Sequence, residues 1–404
     1  MTALSLLSSR GAEASARARW VSGEPLRIMS AISHRPQPNL QTACGDVAAV
    51  SAIAHNVITL AGPWPIAREP AMSIRSTSAL LRFSGCAFGS RTTLSEEVDA
   101  AFGMPIGKLR QRAGIISLAY AENHESEVTL AAKAAQNCLH DANFSPEAID
   151  WIIATSETHH VYPSLAAQLH RVIGARETCG ALDVGGACLG VLNALVVAKS
   201  FVNAGRAGTV LVVTGDIHSR VLTPERVVGE FGGLFGDGGS AFLVQCEPSA
   251  SGDNYFLLED FFFGCASQLQ EAIQISAEPG DRLRVVFDGG ALSRAATARL
   301  ELCIREIEKR SGIARGEVGA FATHQPNPRL VGLLARKSGI PLERFQMIAD
   351  MHGNLGSTTC AAALHSALQR LLGMALRNRL PIFLASLGPG LLFGGGWLSA
   401  KEQS

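Results

Sequence analysis

The chain has 404 residues, 47% of them hydrophobic, 17% charged and only 6% aromatic, with 41 glycines. It can bury a core larger than that of one ordinary domain, and its 35 basic and 35 acidic residues balance, which argues against nucleic acid or an anionic membrane as the main partner. No run of about 18 apolar residues offers a membrane span, and nine cysteines without a CxxC pair are expected as reduced thiols in a cytoplasmic protein.

Residues 1–71 hold six arginines, no lysine and four acids among many Ala, Ser and Pro. Their periodicity is poor. They are expected to be a disordered or transit-like extension, or sequence upstream of a true start at Met72. From there short apolar runs alternate with amphipathic segments. "SALLRFSGCAF" predicts a strand, 125–143 a helix with Val128, Ala131, Ala132, Ala135 and Cys138 near one face, and 149–157 a buried strand. A helix over 163–174 ends at Gly174, "GALDVGG" is a strand leading into Cys188, and a helix runs on to Gly205. Residues 209–216 form a strand. After about 247 the pattern restarts: a strand in "NYFLLEDFFFG", a helix over 293–312, a strand over 319–326, a helix from Pro328, a loop feeding an alanine-rich helix over 350–373, and a closing strand in "RLPIFLASLG". Such alternation predicts an α/β fold with parallel sheets covered by helices, in two similar halves, 72–247 and 248–404.

Three stretches carry chemistry-bearing residues. Cys188 follows a strand and opens a helix, where the dipole and free amides favour a thiolate; on this stretch alone a cysteine packed in the core between strand and helix is the favoured reading, since buried Cys is common. His324 stands at the end of an apolar strand in "THQPN", where catalytic groups of doubly wound folds gather, or is a hydrogen-bonded strand-end histidine. Asn354 in "HGNLGS" is either a turn residue or a neutral donor aimed at an oxyanion. Together, in this order, they meet the needs of acyl transfer from a thioester: a sulfur to carry the acyl group and neutral donors for a developing enolate. His159–His160 has no third ligand at a suitable spacing, so no metal site is expected, and "FGDGGSAF" lacks the Lys-Ser/Thr of a phosphate loop and is expected as a turn between strands.

The segments "DVGGACLG", "LFGDGGSAFLV", "THQPNPRL", "HGNLGS" and "TSETHHVYPSLAAQL" resemble the β-ketoacyl-ACP synthase III family of the thiolase fold, over essentially all of 72–404. The resemblance implies a layered αβαβα architecture with central mixed sheets, a homodimer, and no cofactor beyond thioester substrates. It implies that Cys188 takes an acyl group from an acyl-CoA primer, and that His324 and Asn354 assist decarboxylation of malonyl-acyl carrier protein before the enolate attacks the Cys188 thioester. Arg112 and Arg226 match arginines that contact CoA, Tyr162 a residue beside the acyl pocket across the dimer interface, and Arg329, Arg336 and Lys337 the basic face that receives the carrier protein. Two features depart from the family. Lys108 stands where a tryptophan often stacks on the CoA adenine, and Pro389 interrupts the glycine-rich "LGPGLLFGGG", resembling chalcone-synthase-type enzymes. A starter-unit acyltransferase or ketide synthase of secondary metabolism using the same three residues is the alternative, and a non-catalytic scaffold of the same fold is a further one.

Overall fold

The computed structural model describes residues 78–227, 231–246, 255–280 and 282–400. The extension expected at 1–71 and the division expected at 247/248 lie outside them. Thirteen strands are described: β1 (Ala79–Phe88), β2 (Arg91–Leu94), β3 (Ser117–Tyr120), β4 (Trp151–Thr155), β5 (Gly180–Asp183), β6 (Thr209–Ile217), β7 (Asp237–Cys246), β8 (Phe256–Cys265), β9 (Ile273–Glu278), β10 (Arg282–Phe287), β11 (Ala320–Thr323), β12 (Ile382–Gly388) and β13 (Leu392–Ala400). The helices are α1 (Ser95–Ala101), α2 (Glu127–Asp141), α3 (Leu165–Ile173), α4 (Gly190–Asn203), α5 (His218–Val221), α6 (Gly289–Ser311), α7 (Pro328–Ser338), α8 (Ala349–His352) and α9 (Ser357–Leu372).

Nine strands hydrogen-bond in the order β11-β12-β13-β8-β1-β7-β6-β4-β5. Strands from before residue 247 fill one end of this order and strands from after it the other. The two meet only at β1 and β8, where Leu80 pairs with Leu257 and Leu81 with Phe256. The pairing is mixed, which corrects the parallel sheets inferred from alternation. β4 is parallel to β5 and β6, and β11 to β12, whereas β7 runs antiparallel to β1 and β6, and β13 antiparallel to β8 and β12. β7 and β13 were missed as strands because glycines hide their apolar pattern. The turn Pro389–Leu391 between β12 and β13 is too short for a crossover helix, so β13 must return antiparallel. "FGDGGSAF" is therefore strand from Asp237 onward rather than a turn. Gly239 is there for proximity: a Cβ on it would come 2.9 Å from the Leu130 carbonyl of α2, so the helix backbone lies directly on the strand.

Helices make three layers around the two ends of the sheet. α4 and α9 are central: Val191, Leu192 and Leu195 of α4 and Cys360, Ala361 and Leu364 of α9 share one core with Ile153 and Val212 from the first end and Ala322 and Leu384 from the second. α2 and α3 cover the outer face of the first end, with Ala135, Cys138 and Leu165 packed on Ile152, Leu211 and Val213. α6 and α7 cover the second, with Leu300, Ile304 and Leu334 on Phe321 and Phe383. The result is the αβαβα order. α9 can sit between the two sheet ends because its first turns, "STTCAAAL", are small and entirely buried.

Candidate active site

Five strands deliver their carboxyl ends to one place. β4 runs out into Glu157, β5 into Cys188, β6 into Asp216, β11 into His324 and β12 into Gly388. This is the end at which ligands bind in open α/β sheets. A cavity of about 850 Å³ opens there, lined by Cys188, His324, Asn354 and Glu157 and walled by apolar residues including Phe231, Phe235, Ile273 and Leu292.

Cys188 sits in a 3₁₀ turn, Ala187–Leu189, that runs directly into α4. Gly186 has φ +138° and Ala187 φ +47°, so the chain turns sharply and non-helically just before the sulfur. A Cβ on Gly186 would collide with the Asn193 amide at 2.2 Å. Asn193 donates to the Gly185 carbonyl at 2.9 Å and Ser386 to the Cys188 carbonyl at 2.6 Å, which fixes the turn from both sides. Asp183 accepts from the backbone N–H groups of Leu165 and Ala166, both at 2.9 Å, tying β5 to the start of α3.

The cysteine is 8% exposed, and its thiol is pushed well above the ordinary range by burial, then by Glu157 and Asp216; its own backbone N–H pulls weakly the other way. The expected thiolate is thus corrected to a resting thiol. Desolvation and two carboxylates outweigh what a helix terminus supplies.

His324 and Asn354 form a neutral wall opposite. His324 is buried, and burial lowers its pKa to about 4 against the pull of Glu157, so the imidazole is uncharged near neutrality. Its Nδ1 has no partner. The rest of "THQPN" also holds the local fold, with Pro326 and Asn327 lining the cavity as well. Gln325 donates to the Gln346 carbonyl at 2.5 Å and accepts from Ile348 and Ala349, while Asn327 caps α7 through the Leu330 N–H at 2.9 Å, with Pro328 at the first helical position. Asn354 accepts at Oδ1 from the Gly356 N–H at 3.0 Å and from Thr359 Oγ1 at 3.2 Å. That assigns its amide and leaves the NH₂ to face the cavity.

Glu157 escaped the sequence reading. The signal was an acid two residues after the apolar strand "WIIAT", at the end that builds the site. Beneath it lies a buried network: Asp216 accepts from the Glu157 N–H at 2.6 Å and from Ser357 Oγ at 2.9 Å, and His218 Nε2 stands 3.6 Å from Glu157 Oε2. Despite burial, the neighbouring carboxylates raise His218 to about 9. Burial raises Asp216 to about 6, and the His218 imidazolium holds Glu157 low despite burial.

The remaining expected residues divide. Arg112, Arg329 and Arg336 line the cavity rim. Lys337 is exposed but off the rim, because its helical position turns it away from that of Arg336. Arg226 does not line the cavity and donates to the Val221 carbonyl at 2.7 Å. Tyr162 is 95% exposed and does not line this cavity. His159 of the His159–His160 pair contacts the Pro163 carbonyl at 3.2 Å. Pro389 lines the cavity without an N–H to offer.

Two models of one family match the chain: 3-oxoacyl-[acyl-carrier-protein] synthase III over residues 182–258, and its C-terminal part over 309–399. The β-ketoacyl-[acyl-carrier-protein] synthase III of Neorickettsia sennetsu is 32% identical over 288 residues, covering 70% of this chain and 87% of that one. The solved 3-oxoacyl-[acyl-carrier-protein] synthase III of Aquifex aeolicus superposes with a TM-score of 0.70 at 25% identity, covering 80% of this chain and 99% of the other. The priming β-ketosynthase of the R1128 polyketide pathway gives 0.70 at 24% identity over 80% and 96%, a likeness of fold. A thiolase-type αβαβα fold whose strand ends bring together a cysteine, a neutral histidine and an asparagine agrees with these matches, and the chain belongs to the β-ketoacyl-ACP synthase III family of acyl-transferring condensing enzymes.

Proposed function

We propose that the protein moves an acyl group from an acyl-CoA primer to Cys188 and condenses it with malonyl-acyl carrier protein, releasing CO₂ and a 3-ketoacyl-carrier protein. The observation that supports this best is the single cavity shared by Cys188, His324 and Asn354. Cys188 attacks the primer thioester; its own N–H, beside Gly388, faces the oxygen that becomes anionic. The acyl chain lies against Phe231, Phe235 and Leu292. Malonyl thioester then enters, and the His324 and Asn354 donors hold its carbonyl oxygen as CO₂ departs. Neutral donors suit this step, since they stabilise the enolate without protonating it. The enolate carbon attacks the Cys188 thioester and the thiol is restored. Arg112 at the rim meets the primer's phosphates, and Arg329 and Arg336 meet the acidic carrier protein; Lys337 belongs to the same helix and adds charge outside the rim. Arg226 has no support as a direct CoA contact. We read the enzyme as a cytoplasmic homodimer, with Val161 and Tyr162, both largely exposed, in the subunit interface; sedimentation as a monomer overturns that part.

The test is a panel of acyl-CoAs with malonyl-acyl carrier protein, read by mass spectrometry. Acyl adducts on Cys188 followed by 3-ketoacyl-carrier protein are expected. Acylated enzyme that never yields a ketoacyl product sinks the condensation and favours a starter-unit acyltransferase, a reading to which Pro389 in the cavity wall also points.

A further inference from the structure

The mechanism above uses Cys188, His324 and Asn354 but leaves unexplained how a thiol in this cavity loses its proton. Cys188 rests protonated, held so by burial and by the carboxylates beside it, and a thiol is a far weaker nucleophile than a thiolate. Some group must accept that proton as the primer is attacked. Glu157 lines the same cavity as Cys188, and the two groups act on each other's protonation. Its Oε1 is buried and has no hydrogen-bond partner. Its other oxygen meets His218 Nε2 only at 3.6 Å, and that nitrogen also lacks a partner. A carboxylate that served only to neutralise His218 would satisfy both orphans with one short bond. Here the carboxylate is held near a cation yet keeps an unpartnered oxygen in a residue that lines the same cavity as the sulfur, with 15% of its side chain open. Gly356 makes the space: a Cβ there would come 2.7 Å from Glu157 Oε1 and 2.6 Å from His218 Cε1.

We propose that Glu157 is a catalytic residue of the acylation half-reaction, the general base that takes the Cys188 proton and returns it to the departing thiol. The S–H bond breaks and an O–H bond forms on Glu157 as the Cys188 sulfur bonds to the primer's carbonyl carbon. The carbon–sulfur bond of the primer then breaks, and its thiolate leaves with the proton from Glu157. While Glu157 is neutral, the His218 imidazolium keeps Asp216 as its counter-ion, so no buried charge is stranded. The groups facing Glu157 are Cys188 from the turn before α4, His218 from α5, Asp216 from the end of β6 and His324 from the end of β11; of these His324 is uncharged near neutrality.

The inference rests on Cys188 being the acylated nucleophile. Rapid-quench acylation by acetyl-CoA and octanoyl-CoA, followed by intact mass, tests the two separately: a wild type that loads neither thioester overturns the nucleophile reading itself. With loading established, the wild-type rate is expected to be flat from about pH 6 to 9 because the base is already ionised. Glu157→Gln is expected to load about 10²-fold or more slowly near neutrality, measured at a temperature where its melting curve shows it folded, and to recover by about tenfold per pH unit as the thiol ionises unaided. Glu157→Asp is expected to restore part of the rate. A Glu157→Gln enzyme that loads as fast as the wild type, or faster, overturns the proposal, because a carboxylate that merely raises the thiol pKa suppresses the thiolate. If that variant does not fold, a wild-type rate that itself climbs tenfold per pH unit without a plateau overturns it as well.

Discussion

The two sides of the cavity solve opposite electrostatic problems. The side built by β4 and β6 is a floor of charge: Glu157, His218 and Asp216, each largely buried and tied to the others or to Ser357. The side built by β11 and the loop before α9 is a wall without charge, where burial above all, with the His218 charge, keeps His324 neutral and Asn354 has its oxygen occupied so that only its amide hydrogens remain to give. Charge can be buried only where counter-charges and hydroxyls surround it, whereas an uncharged donor needs only to be dry and aimed. Cys188 stands between the two, and in the proposed reaction the floor removes its proton while the wall holds the oxyanion.

The largest expected break is at the sulfur. Cys188→Ala removes the atom on which both sides act, and turnover is expected to fall by about 10⁴-fold or more with no acyl adduct by intact mass; residual adduct formation would place the acyl group elsewhere. Next comes the wall alone. His324→Ala is expected to slow condensation by about 10²–10³-fold while single-turnover acylation of Cys188 persists, since acylation belongs to the floor. Equal loss in both half-reactions would erase the division of labour.

The two sides should also part in their response to pH. His324 has a folded pKa of about 4 against 6.5. Between those values the unfolded chain binds a proton that the folded chain refuses, so its contribution is complete above 6.5 and lost as pH falls toward 4, by up to about 3 kcal/mol. His218, raised to about 9, does the reverse: its contribution is complete below 6.5 and lost as pH rises through 9. Melting temperatures against pH for His324→Gln and His218→Gln should therefore flatten the acid and the alkaline limb respectively, and a common effect on one limb contradicts the assignment. The smallest effect is expected at the α7 edge of the cavity. Asn327→Ala removes the α7 cap, costing about 1 kcal/mol in chemical denaturation, with kcat for the acylation step unchanged.

The α/β class was legible because β4 and β6 are apolar runs between helices capped and stopped by ordinary signals, such as Ser164 before α3 and Gly174 after it. Cys188, His324 and Asn354 were legible because each stands where a strand or loop hands over to a helix, and their order and spacing carried a family resemblance. Glu157 and His218 were not: they are 61 positions apart in the chain, and neither has meaning until β4 and β6 pair.

Local propensity and patterning therefore determined most of the helices and the apolar strands, since these depend on neighbours in sequence, and the order of Cys188, His324 and Asn354 with the family motifs around them marked the candidate site. Tertiary structure alone decided the mixed pairing, the protonation of Cys188 and the contents of the charged floor. Sheet register and desolvation depend on which distant segments close over a group, and at this site burial outweighs the helix terminus that the sequence displays.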